Sequence, residues 1–163
     1  MPRRLFIVAG AVTAAAGLLA GIASLAVPWV TYQVTGSAVQ NIPVSQRGSI
    51  AVFQVPGGTL YVLVLLLLVG LAALALLGGT GQIPTAALTA APVLGVVALI
   101  VVGYLASGIG ASASKVVATG IAQLTVTGEA APGVYLGFVT GPLLAAGAWL
   151  VGYAKRRAPV PSV

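Results

Sequence analysis

General acid–base and covalent catalysis need a carboxylate, an imidazole, an amine or a thiol within reach of one another. This chain supplies few of them. Glu129 is its single acidic residue, it has no His and no Cys, and its one Met is Met1. Only Lys115 or a tyrosine is left to partner Glu129 in proton transfer. Proton-coupled carriers place a carboxylate or His inside the membrane, and Glu129 falls outside every long apolar run. Disulfides, thiolate metal sites and histidine-ligated haem are excluded within the chain. The stretch "GIGASAS" (Gly108 to Ser114) is glycine-rich, yet no Lys-Ser or Lys-Thr follows it. It reads as the flexible end of a span, not as a phosphate loop. The expectation is a protein that is not an enzyme, with no catalytic residue, no cofactor and no metal.

The elements that would position any site follow from composition. Of the 163 residues, 60% are hydrophobic and 5% charged, and the mean hydropathy is +1.15. Soluble domains carry about a quarter charged residues, so the class is an integral membrane protein. Four apolar segments stand out, at about 5–27, 59–77, 83–107 and 133–154, each close to the ~20 residues that cross a bilayer core. None contains an ionisable group other than tyrosine. The stretch "GGTGQIPT" separates the second from the third, with Pro84 suited to a first helical turn.

The net charge is +6. Its arrangement points to topology and not to nucleic acid, because Arg3, Arg4, Lys155, Arg156 and Arg157 all lie at the two ends. Both termini are expected in the cytoplasm, including the basic tail 155–163, with outer loops at 30–58 and 108–132. Residues 1–26 also resemble a signal peptide ending at "ASLA". The length of the apolar run favours a retained span.

The outer loops read as strands. Val30, Tyr32 and Val34 alternate with Thr31, Gln33 and Thr35, and a second alternation runs through Ile50, Val52 and Gln54. "QLTVTG" offers one more short strand. The fold class expected is an all-α membrane protein, a four-helix transmembrane bundle capped by a small extracellular antiparallel β-sheet from both outer loops, forming one domain. Two echoes suggest a parallel repeat of the halves. "GSIAVFQVPGGTLYV" matches "GIAQLTVTGEAAPGVYLG" in pattern, and "QVTG" matches "TVTG".

Small residues bring helices together in lipid. Gly17 with Gly21, and Gly133, Gly137 and Gly141 at spacing four, mark packing faces for a neighbouring span or a partner. Pro92 and Pro142 are expected to bend the third and fourth spans. Trp29, Tyr61 and Tyr135 fall near the outer boundary, and Trp149 and Tyr153 near the inner one, as interface anchors.

Val27-Pro28-Trp29-Val30 directly after the first span, with Tyr135 opening the last, resembles the small actinobacterial membrane proteins encoded beside tryptophan-biosynthesis genes. That resemblance implies four spans and the cell membrane, and it carries no catalytic residue. The four spans with an outer sheet are also similar to claudin-like proteins in architecture, although the cysteine pair of the first claudin loop is absent. The function expected is a non-catalytic accessory or scaffold subunit of a larger membrane assembly. Its partners would be membrane lipids and other membrane subunits or further copies of the chain, and no nucleic acid. The alternatives are a small oligomeric channel or transporter for a neutral or hydrophobic solute, with Thr89, Ser107 and Thr140 near the path, and an outward-facing self-assembly or adhesion module.

Overall fold

A computed structural model describes residues 3–38, 42–78, 82–111, 114–119 and 122–156. Four helices are long and apolar enough to cross a membrane. They are α1 (Arg3–Ala26), α2 (Gly58–Leu77), α3 (Gln82–Ala111) and α4 (Pro132–Arg156). Between α1 and α2 lie strands β1 (Val30–Ala38) and β2 (Ile42–Ile50), and between α3 and α4 lie β3 (Ser114–Thr119) and β4 (Ala122–Ala130). The helices match the four expected segments to within a few residues. Both α3 and α4 run continuously through their internal prolines, Pro92 and Pro142.

The strands form one antiparallel sheet in the order β2-β1-β4-β3. An antiparallel sheet is therefore present, with β1 and β4 where alternation predicts strands, while β2 ends at Ile50, where the second alternation begins, and β3 starts at the end of the glycine-rich run. The alternation through Val52 and Gln54 does not continue as strand. Residues Val52–Gln54 coil into a 3₁₀ turn, with Val52 fully buried. Gly57 then takes φ +86° at the entry to α2, a conformation that favours glycine. A Cβ at Gly58 would collide with the Val52 carbonyl.

Each half is thus helix–hairpin–helix, as the echoes imply. The sheet does not follow a two-fold axis between halves, however. Such an axis would pair like strands, whereas the central pair joins β1 to β4. "QVTG" and "TVTG" are cross-strand neighbours, with Val34 opposite Val126 and Thr35 opposite Thr125.

Helix α4 is the axis of the bundle. It has the largest buried share of the four, and it packs on α1 along one side and α3 along another. Glycine makes both contacts close. Against α1, a Cβ at Gly147 would lie 2.6 Å from the Ala14 nitrogen, and one at Gly17 would lie 2.8 Å from the Leu144 nitrogen. Against α3, a Cβ at Gly141 would lie 2.6 Å from the Ala98 Cβ. Lipid tails are as apolar as leucine, so this backbone approach supplies dispersion contacts that a leucine surface would not.

Candidate functional site

Where α1 ends, Pro28 determines what happens next. A helix would bond the N–H of residue 28 to the Ser24 carbonyl, and proline has no N–H. The last bond of that kind is Val27 N–H to Ala23 O, at 3.0 Å. The orphaned Ser24 carbonyl accepts instead from the Trp29 indole Nε1–H at 2.7 Å. Ser24 Oγ donates to Gly21 O at 2.7 Å. With that proton committed, the Tyr61 hydroxyl, 2.8 Å away, is the donor to Ser24 Oγ. The Trp29 and Tyr61 rings pack at 4.9 Å between centroids and 57° between planes. Trp29, Ser24 and Tyr61 are all at most 1% exposed. A polar group buried in apolar surroundings is costly without a partner, and here each one has its partner.

The backbone of the same residues fastens the sheet to the bundle. Trp29 N–H donates to Ile50 O, Ala131 N–H donates to Trp29 O, and Gly133 N–H donates to Pro28 O, each at 2.9 Å. Gly133 N–H is one of the four donors that the start of α4 leaves unpaired. A Cβ at Gly133 would run into Trp29 Cδ1, and one at Gly137 would sit 3.1 Å from the far edge of the indole. Trp29 thus lies in a slot cut by two glycines.

The five glycines expected to mediate packing are accordingly filled from within the chain. Gly17 meets Leu143 and Leu144, Gly21 meets Leu65 and Thr140, and Gly133 and Gly137 meet Trp29, while Gly141 meets Ala98. The five aromatic residues separate. Trp29 and Tyr61 are buried inside the molecule instead of facing outward, Tyr135 is 65% exposed, and Trp149 is part-exposed and stacked on Tyr153 at 5.4 Å. Phe6 meets Tyr153 edge-on at 5.8 Å.

Of the basic residues, Arg4 and Arg156 are exposed on α1 and α4. Lys155 Nζ donates to Leu76 O at 2.7 Å and to Gly78 O at 2.5 Å, closing the C-terminal end of α2. Arg157 and the side chain of Arg3 lie outside the described residues. The hydroxyls of Thr89, Ser107 and Thr140 each donate to a carbonyl of their own helix and do not converge on a path.

The sheet has two unlike faces. Register sets Thr31 beside Ser49 and Glu129, Gln33 beside Arg47 and Thr127, and Thr35 beside Ser45 and Thr125. Those rows across β2, β1 and β4 are polar and carry a groove of about 400 Å³ with Arg47 and Glu129 on opposite sides of β1. Glu129 therefore stands with Thr31, while Lys115 is the register partner of Val126. The other face bears Val30, Tyr32 and Val126 and looks onto the last turns of α3. Between them is an apolar cleft of about 600 Å³, bounded also by Val55, Pro56, Tyr104, Leu105 and Ile109. Among the described residues, no group of His, Cys, Asp and Glu is placed to hold a metal ion.

No family model matches the chain, and no curated protein matches it. The Trp29 cluster escaped the sequence reading, which took the tryptophan as an anchor. A usable signal exists: the proline of a Pro-Trp pair frees the helical carbonyl four residues before it, five residues from an indole donor.

Proposed function

We propose that the chain is a multi-pass protein of the cell membrane, with both termini cytoplasmic, that acts as a non-catalytic accessory or scaffold subunit and meets its partners through the outer sheet. The observation that supports this reading most is the sheet itself. Both loops contribute to it, three backbone bonds and a buried indole fasten it, and its strands β2, β1 and β4 turn polar rows away from α3. Gly17, Gly21, Gly133, Gly137 and Gly141 are occupied from within the chain, which favours the sheet, with its edge strands β2 and β3, as the surface for a protein partner. The resemblance of Val27-Pro28-Trp29-Val30 to the small actinobacterial membrane proteins fits the same reading.

The test is purification of the tagged full-length chain from its native membrane in mild detergent after cross-linking. A stoichiometric partner, or a second copy, is expected to cross-link at the polar face and to be lost on Arg47→Glu. A monomer without stoichiometric company overturns the scaffold role. Because the chain has no cysteine, single replacements Ser45→Cys and Ser162→Cys report orientation directly. Labelling of the first from outside and of the second only after permeabilisation is expected. The reverse pattern overturns the topology.

A further inference from the structure

The apolar cleft beneath the sheet is walled in part by glycine. At the glycines of the helix seams another group presses in, and an added Cβ would meet atoms within about 3 Å. The two glycines of the cleft wall are not of that kind, and Gly70 and Gly103 likewise stand in open space. A Cβ at Gly108 would meet nothing within 4 Å, and one at Gly128 only Val30 Cγ1 at 3.7 Å. No close packing accounts for the absence of side chains there, and a helix interior is more stable with alanine than with glycine. The volume of about 600 Å³ lies in the range of small-molecule sites, roughly 300–1,000 Å³. Among the described residues the lining carries no charge and offers tyrosine hydroxyls, from Tyr32 and Tyr104, as its side-chain polar groups.

The cleft is also continuous with the surface that lipid would cover. On α3 the exposed residues Val93, Val96, Ile100 and Tyr104 follow one another at helical spacing, and Gly108 comes one turn later. That stripe ends in the cleft. Tyr104, 73% exposed, stands at its rim.

We propose that the cleft binds one outer-leaflet membrane lipid. The glycerol end lies between Tyr32 and Tyr104, the first part of an acyl chain fills the space beside Gly108 and Gly128, and the rest of the chain runs down α3 past Ile100 and Val96. Tyrosine suits this depth because its ring sits in hydrocarbon while its hydroxyl meets ester oxygens. An empty apolar space of this size would forfeit dispersion contacts on every wall, and an acyl chain restores them. The inference rests on the membrane reading above.

The experiment uses the full-length chain in vesicles of phosphatidylcholine and phosphatidylglycerol doped with a diacyl lipid carrying a photoreactive group in its chain. Alkaline extraction first establishes insertion, so failure of the membrane reading shows there and not in the labelling. After irradiation, labelled peptides are expected to concentrate at 104–109 and 126–128, above the exposed Leu63, Leu66 and Leu67 of α2. Gly108→Leu fills the cleft, and labelling at both stretches should fall several-fold while the melting temperature holds or rises. Gly128→Ala, the smaller change, should give a partial loss and serves if the leucine variant fails to fold. Three results overturn the proposal: even labelling of all lipid-facing helices, labelling unchanged in both variants, or labelling of the cleft by a photoreactive free fatty acid and not by the diacyl lipid.

Discussion

The seam along α4 and the cleft under the sheet use the same residue to opposite ends. At Gly17, Gly133, Gly141 and Gly147 the missing side chain lets another group come within about 3 Å of where a Cβ would be. At Gly108 and Gly128 it leaves space that nothing fills. Composition does not separate these cases, because each is a glycine in or beside an apolar helix. What separates them is the neighbour. In the seam the neighbour is backbone, an alanine Cβ fixed to it, or an indole already held by hydrogen bonds, and none of these can retreat. In the cleft the far wall is a sheet fastened at Trp29, which stops it from settling onto α3.

That contrast is open to direct attack. Gly133→Val should have the largest effect, since the new side chain would enter the indole and the Pro28 carbonyl. We expect loss of a monodisperse folded protein on size exclusion in detergent, and a normally folded variant would show that the slot is not rigid. Trp29→Ala should cost about 3–5 kcal/mol, the usual penalty for emptying a buried aromatic site. Equilibrium unfolding in SDS measures it, and a loss below ~1 kcal/mol would detach the seam from the sheet as a stabilising unit.

Ser24→Ala leaves the buried Tyr61 hydroxyl without its acceptor and should cost about 1–3 kcal/mol. Adding Tyr61→Phe should return part of that loss, because removing both partners is cheaper than removing one. Strict additivity in the same unfolding assay would contradict the hydrogen bond between the two side chains. On the cleft side the sign reverses. Gly108→Ala should stabilise by roughly 0.5–1 kcal/mol, read as a raised melting temperature, and a destabilised variant would mean that the wall is already filled. Lys155→Met should have a slight effect, about 0.3–1 kcal/mol, since that ammonium closes one helix end at the surface. The loss should shrink in high salt, and a salt-independent loss would indicate packing instead of charge.

Much of the helical layer was readable from hydropathy because a bilayer span demands ~20 apolar residues whatever surrounds it. Segments expected at 59–77 and 133–154 correspond to Gly58–Leu77 and Pro132–Arg156. The sheet was readable only in part. Val30 to Thr35 alternates cleanly, but "SKVVAT" is short and follows a glycine-rich run, so its strand depends on pairing with β4. The alternation through Val52 misled because Pro56 and Gly57 bend the chain and draw Val52 inward as a 3₁₀ turn. Tyr61 and Tyr135 hold matching places in the two echoes, yet one is buried and the other exposed. Local sequence does not state which helix face meets a neighbour.

By itself the sequence determined the number and approximate length of the apolar helices, the strand character of Val30 to Thr35 and of "QLTVTG", and the scarcity of titratable chemistry. All three depend on local composition or on short-period patterning. The tertiary structure decided which glycines close a seam and which leave a cavity, that Trp29 is a buried clasp, and that β1 pairs with β4. Those outcomes depend on atoms from different elements of the chain, in places more than ninety residues apart, as in the bond from Thr127 Oγ1 to the Gln33 carbonyl. No window along the chain contains both partners.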